Sequence, residues 1–474
     1  MEENEPAEGT ENSPFKRVLG LPTAILLVAG IMIGSGAFKK IVPMSASLHS
    51  ETYILLAWII AGIITMLGAF TYAGLATLTT QTGGVYEYLR LIYGEFIAFL
   101  FGWSMFSIVG SGAIAALSFV FAESVNTLIT LPEPLFAYRA VNIGHAVYPF
   151  ADSGVKALAA LTIVFLTWLN CRGIKKGGYL NNVVTAAKIL GILLLIVSGL
   201  AYTGHAAVAK INETAVVQQG AGALFSGLFG AMLSALWAYD GWANVTYITG
   251  EIKNPRRNVP LAIIGGVGIA MTLYVLLNYS YMNVLALPQL AALGGGKIAA
   301  AEVAGVLMGH TGMVIVACLI MTCTFGAVNG CIISYPRIYF RMAQENVFFK
   351  SAAKVHSTFR TPYGALIFSA GWSIVLVCSG TFDQITNMVI FASYAFFALT
   401  SWGLVRMKMK GEIKAKVIGY PVVPFIIILF CVALIINTLI IQTEASIIGV
   451  LLILSGAPLY LYFRRQTVDT QLKK

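Results

Sequence analysis

The chain has 474 residues, 58% of them hydrophobic and only 11% charged, with a mean hydropathy of +0.82. A soluble domain is roughly half apolar and a quarter charged, so a water-soluble fold is excluded and lipid must be the solvent for much of the surface. A net charge of +10 in a soluble protein suggests a polyanionic partner, but here the positions of the charges supply another cause.

Residues 1–14 are acidic and polar (Glu2, Glu3, Glu5, Glu8, Glu11) and are expected to form a disordered cytoplasmic tail. They contain no signal-peptide core, so the first span is expected to direct insertion. Twelve apolar spans follow, at about 22–47, 53–78, 95–127, 155–171, 180–202, 222–248, 261–286, 311–344, 363–380, 384–406, 421–441 and 445–463. At about 1.5 Å per residue each crosses a ~30 Å hydrocarbon core. The outer loops 128–153, 203–221 and 287–310 read as short and Gly-rich or polar, and an Asn-x-Thr sequon sits at Asn212. Residues 465–474 are expected to be a second cytoplasmic tail.

With the N-terminus inside, 23 of the 30 lysines and arginines fall in inner loops and tails. Six fall outside (Lys39, Lys40, Arg139, Lys156, Lys210, Lys297) and Lys188 is left within a span. The positive-inside rule then places both termini in the cytoplasm, in agreement with an even span count. It also accounts for the net charge without a polyanion. The six cysteines lie in or at the ends of apolar segments with no C-x-x-C spacing and read as small buried hydrophobes. No metal or other cofactor is expected. None of the five histidines lies within an apolar span near carboxylates, which argues against a membrane enzyme.

The first span carries Gly30-Ile31-Met32-Ile33-Gly34-Ser35-Gly36-Ala37-Phe38 near mid-membrane. Glycines there cost a helix about 1 kcal/mol each against alanine. A break frees backbone N–H and C=O groups that lipid cannot satisfy. The N–H groups starting the outer half-helix suit a carboxylate, and the carbonyls ending the inner half suit an ammonium; an amino acid zwitterion offers both. A Gly-x-Gly face for close helix packing is the alternative. The sixth span carries Leu236-Trp237-Ala238-Tyr239-Asp240-Gly241-Trp242-Ala243, again with a glycine in mid-span. Breaks five helices apart are what a five-plus-five inverted repeat places at its substrate site.

These stretches resemble the L-type amino acid transporters of the amino acid–polyamine–organocation superfamily. So do Thr82-Gly83-Gly84-Val85-Tyr86-Glu87-Tyr88, Tyr93-Gly94-Glu95, Ala186-Ala187-Lys188, Gly250-Glu251-Ile252-Lys253-Asn254-Pro255 with Arg257-Asn258-Val259-Pro260-Leu261, and Val328-Asn329-Gly330 with Arg337. The resemblance runs in order from about Phe15 to Arg464. It implies an all-α membrane protein with a LeuT-type fold, in which helices 1 and 6 are broken. One transporter domain, 15–464, would comprise helices 1–5 (22–202), 6–10 (222–406) and 11–12 (421–463).

The resemblance also implies a substrate site at Met32, Ile33, Gly34, Ser35, Gly36, Trp237, Asp240 and Gly241. The carboxylate would meet the N–H groups of Ser35 and Gly36, and the ammonium the carbonyls near Met32, Trp237 and Asp240. Val109, Gly112 and Ala116 of span three would face the substrate side chain, and Trp237 would close over it as an aromatic gate. Lys188 would replace the sodium ion of coupled relatives. For Asp240 three readings stay open: coupling, side-chain recognition, or capping the outer half of helix six through the N–H of Trp242 or Ala243. Lys39 and Lys40 depart from the family pattern and are expected to snorkel to the outer interface. Residues 128–153 lack the cysteine that ties some relatives to a glycoprotein, so no disulfide-linked subunit is expected. The function implied is exchange of neutral L-amino acids across the plasma membrane, with proton symport as the alternative within carriers and a non-transporting receptor as the alternative outside them.

Overall fold

A computed structural model of the chain describes residues 19–76, 78, 84–141, 149–172, 177–203, 221–294, 297–359, 361–414 and 416–472. The expected tail 1–14, the Thr82-Gly83 pair, Lys175, Lys176, Lys210, the Asn212 sequon, His145, His205, Arg360 and the last two lysines lie outside those residues.

Each of the twelve apolar stretches contains helix. Among the described residues the only β pairing is an isolated bridge between Leu19 and Ile252. Among the described residues, eight helices are long and apolar enough to cross a membrane. Shorter apolar helices lie at Leu21–Met32, Ala186–Leu200 and Tyr363–Ser379. Large apolar side chains point outward along them: Leu161, Val164, Phe165 and Trp168 of span four, and Leu429, Ile436 and Ile440 of span eleven, are exposed. So much bare apolar surface is at home only in lipid.

Span three is the centre of the bundle. Its apolar stretch within Glu95–Leu128 is 94% buried, against 33% for Val422–Ile441 and 28% for Ser446–Gln466, which lie at the rim. It is continuous but contains a π-helical turn at Met105–Val109 between Glu95–Ser104 and Gly110–Leu128. Such a turn holds one extra residue and rotates everything beyond it relative to an α-helical reading.

Turn chemistry sets several ends. Gly94 (φ +86°) separates Val85–Tyr93 from span three. Pro255 opens the helix Pro255–Val284, where its missing N–H has no partner to lose. Thr381 and Gln384 cap the start of Phe382–Met409 reciprocally.

Two expectations are corrected. The outer loop 287–310 is largely helical, at Leu287–Ala292 and from Ala299 onward, with a kink at Gly309 (φ +66°) before span eight proper. Its alanines are strong helix formers and bury Ala299–Ala301, Val303 and Ala304 against the bundle. The final helix, Gly456–Leu472, extends over most of residues 465–474, which leaves the tail reading untouched. The second half of helix six, expected at the opposite end, lies at the same end of the bundle as the start of span one. The Lys253 N–H donates to the Leu19 carbonyl at 2.9 Å, so the end of that half-helix sits beside the start of span one.

Candidate functional site

The first span breaks where its glycines cluster. Helix Leu21–Met32 stops, Ile33 and Gly34 are non-helical, and helix resumes at Ser35–Lys39 and Ile41–Ser47. The sixth breaks in the same way. Helix Ala221–Tyr239 stops, Gly241 takes a left-handed conformation (φ +97°), and a 3-10 helix runs Trp242–Glu251. The opening N–H groups of a helix have no partner within it, and the closing carbonyls likewise.

The two breaks touch, and glycine is what lets them. A Cβ on Gly36 would lie 2.4 Å from the Ala238 Cα, inside the backbone of helix six. A Cβ on Gly241 would lie 2.7 Å from the Ile31 side chain. Each break thus carries one glycine that makes room for the other. Trp237 ties them further: its indole Nε1–H donates to the Ser35 hydroxyl at 3.1 Å, and its ring meets Phe382 edge-on at 6.1 Å between centroids.

Tyr274 of span seven, fully buried, was not foreseen. Its hydroxyl donates to the Met32 carbonyl at 2.6 Å and lies 3.0 Å from the Ala238 carbonyl, so one side chain spans both breaks. The signal was present as a polar stripe, Tyr274, Asn278 and Tyr281, at helical spacing in an apolar span. The Met32 carbonyl retains a second lone pair. The Trp237 carbonyl accepts the Asp240 N–H at 3.2 Å.

Lys188 enters from span five, 3% exposed, and its ammonium donates to the carbonyls of Gly30 (3.2 Å) and Ile33 (3.3 Å). Those oxygens belong to the end of the inner half-helix, where a cation complements the helix dipole. Asp240 is partly exposed, and its carboxylate takes the Gly241 N–H. The cap position of the following half-helix is Gly241 itself, with no side-chain cap bond.

In span three, a Cβ on Gly112 would fall 2.7 Å from Val389 of span ten, so Gly112 lets those helices close up. Leu117 is the side chain nearest Gly34, at 3.6 Å from its virtual Cβ. Val109 ends the π turn, and both it and Ala116 are buried.

Lys39 and Lys40 do not reach the interface. They are 1% and 0% exposed. Lys39 pairs with Glu123 of span three at 2.5 Å, and Lys40 with Asp383 of span ten at 2.6 Å and with the Thr386 hydroxyl at 2.7 Å. Both ammoniums lie over the Phe382 ring, at 4.6 and 4.5 Å from its centroid. A lysine stem can snorkel past apolar neighbours, but carboxylates within reach offer the charge more than a distant interface. Nothing in the local sequence signals these partners, which lie 84 and 343 residues away.

The profile of the amino acid permease family matches residues 19–463. The serine/threonine exchanger SteT of Bacillus subtilis (strain 168) is 30% identical over 456 residues, covering 95% of this chain and 98% of its own length. The mouse b(0,+)-type amino acid transporter 1 is 30% identical over 96% of this chain and 89% of its own. The mouse large neutral amino acids transporter small subunit 2 is 26% identical over 97% and 83%. The chain belongs to the amino acid permease family.

Proposed function

We propose that this member of the amino acid permease family is a secondary transporter that exchanges neutral L-amino acids by alternating access. One observation carries the reading: two helix breaks in mid-span pack against each other through Gly36 and Gly241, so that the N–H groups opening Ser35–Lys39 lie close to the end of helix Ala221–Tyr239. The substrate carboxylate is assigned to the N–H groups of Ser35 and Gly36, and the ammonium to carbonyls near Met32, Trp237 and Asp240, with Ile33 between the two half-helices. Gly34, Asp240 and Gly241 line the gap, Val109, Gly112 and Ala116 back it from span three, and Trp237 covers it. The relatives named as amino acid exchanger and transporters support the substrate class.

The wider arrangement proposed is twelve transmembrane helices as a LeuT-type five-plus-five repeat with two additional helices, in the plasma membrane with both termini cytoplasmic. The lysine and arginine distribution supports that orientation. No disulfide-linked subunit belongs to this reading, since the outer loop 128–153 has no cysteine.

Lys188 favours exchange over sodium coupling, because a fixed ammonium already holds the carbonyls of Gly30 and Ile33. The same lysine keeps proton symport as a second reading, in which Lys188 or Asp240 carries the proton. Uptake of labelled serine, threonine or leucine into proteoliposomes separates these. Exchange predicts strong stimulation by internal amino acid with no pH gradient. Uptake into empty vesicles driven by an acid exterior overturns pure exchange. No uptake of any neutral amino acid overturns the assignment.

A further inference from the structure

Span three is the most buried of the long apolar helices, and its backbone leaves the α form at Met105–Val109. The π turn there is closed by the Gly110 N–H, which donates to the Met105 carbonyl five residues back. Two side chains from other spans hold it. The Tyr339 hydroxyl, from the helix Pro336–Gln344 at the end of span eight, donates to the same Met105 carbonyl at 2.7 Å. The Trp372 indole N–H of span nine donates to the Ser107 carbonyl at 2.8 Å. Gly110 makes room for the first of them, since a Cβ there would lie 2.5 Å from the Tyr339 hydroxyl and 2.8 Å from the Met105 oxygen. Phe106, inside the turn, meets both rings, at 5.4 Å from Tyr339 and 6.0 Å from Trp372 between centroids. The turn also strands polar groups. Ser104, Ser118 and Ser124 of the same span each donate to the carbonyl four residues back. The buried hydroxyls of Ser107 and Ser111 have no hydrogen-bond partner among the described residues. An unpaired buried hydroxyl disfavours the conformation that strands it. The π turn therefore depends on the donors that reach it from outside.

We infer that Tyr339 and Trp372 are positioning residues for substrate selection, which hold the π turn and through it set the face that span three turns to the first break. The inference rests on the transport reading above. A π turn absorbs one residue more than an α turn. At about 100° per residue, each residue beyond it takes the face that its predecessor would take in a straight α-helix. Straightening the turn therefore shifts every later face by one position. Ser111 would replace Gly112 against span ten, where a Cβ lies 2.7 Å from Val389 and 3.3 Å from Ile385. That contact pushes spans three and ten apart. Ala116 would replace Leu117, whose side chain lies 3.6 Å from a virtual Cβ on Gly34 in the first break. A leucine-sized wall beside the break would become an alanine-sized one. The π turn keeps that wall bulky, and the two donors that hold it set how small a substrate side chain the site prefers.

The test separates positioning from folding. Tyr339→Phe combined with Trp372→Phe removes both donors and keeps a ring at each place. In proteoliposomes the ratio of the KM for serine to the KM for leucine should rise by at least about threefold, because an apolar pocket discriminates side chains by the methylenes it can hold. A loss of folded protein lowers the maximal rate for every substrate and leaves that ratio alone. Deleting Ile108 from the double variant takes out the extra residue, so that Gly112 and Leu117 return to their faces with no π turn to hold. The ratio should then fall back to within about twofold of the unaltered chain. Electron cryomicroscopy of the double variant reads the register directly, and Ala116 is expected against Gly34. A ratio raised by less than about threefold overturns the inference. So does a π turn still standing in the double variant with Leu117 against Gly34, or a folded deletion variant without rescue. Where the deletion does not fold, the ratio and the register of the double variant decide. If the chain carries no neutral amino acid, the transport reading fails, while the register still decides whether Tyr339 and Trp372 hold the turn.

Discussion

The two ends of the bundle handle charge in opposite ways. Just beyond the first break Lys39 and Lys40 are buried, Lys39 against Glu123 and Lys40 against Thr386 and Asp383, whose side chain is 36% exposed. At the other end of span three Arg90, Glu87, Glu345 and Arg341 form a linked network between the helix before span three and the end of span eight, with the Arg341 side chain 48% exposed, Arg90 33% and Glu87 3%. Tyr86 donates to Glu345 at 2.9 Å, and burial together with that neighbouring carboxylate pushes its phenol well above the usual range, so it stays a neutral donor. A solvated network with shared partners loses little when one member leaves. A buried ion pair that loses one member strands the other.

The largest effect expected falls at Gly36, which both the site and the outer half-helix depend on. Gly36→Leu drives a side chain into the Ala238 backbone and should abolish amino acid uptake; wild-type uptake would remove the first break from the site. Lys188→Ala strips the side-chain cation from the Gly30 and Ile33 carbonyls and should reduce uptake by at least about tenfold, equivalent to ~1.4 kcal/mol. Full rate and unchanged coupling in that variant would leave Lys188 a structural residue.

Lys39→Met leaves Glu123 buried and unpaired, which should destabilise the fold by about 3–5 kcal/mol. Its thermal midpoint in detergent should fall well below that of the double variant with Glu123→Leu, where no charge is stranded. If single and double variants melt alike, the outer pair does not act as a sealed unit. Arg341→Ala, in the exposed network, should cost no more than about 1 kcal/mol. A cost as large as that of Lys39→Met would erase the contrast between the two sides.

Both helix breaks were legible in the chain. Glycine inside an apolar run is expensive in a helix and a broken backbone in lipid demands a polar partner, so Gly34-Ser35-Gly36 and Asp240-Gly241 located both breaks from composition alone. The depth of Lys188 within span five likewise pointed to the carbonyls it meets. Periodicity served less well in span three, where the π turn at Met105–Val109 rotates the residues beyond it. The Ala-rich outer segment read as loop because its helix is short and its burial comes from tertiary packing.

The sequence by itself determined that lipid is the solvent, how many apolar spans there are, where they break, and which chemistry the breaks suit. Those are properties of local composition and backbone hydrogen bonding, which act over a few residues. Only the tertiary structure decided that Gly36 rests on Ala238, that Tyr274 joins Met32 to Ala238, and that Lys39 and Lys40 turn inward to Glu123 and Asp383. A charge in lipid must find a partner, and which partner lies within reach depends on how distant helices pack.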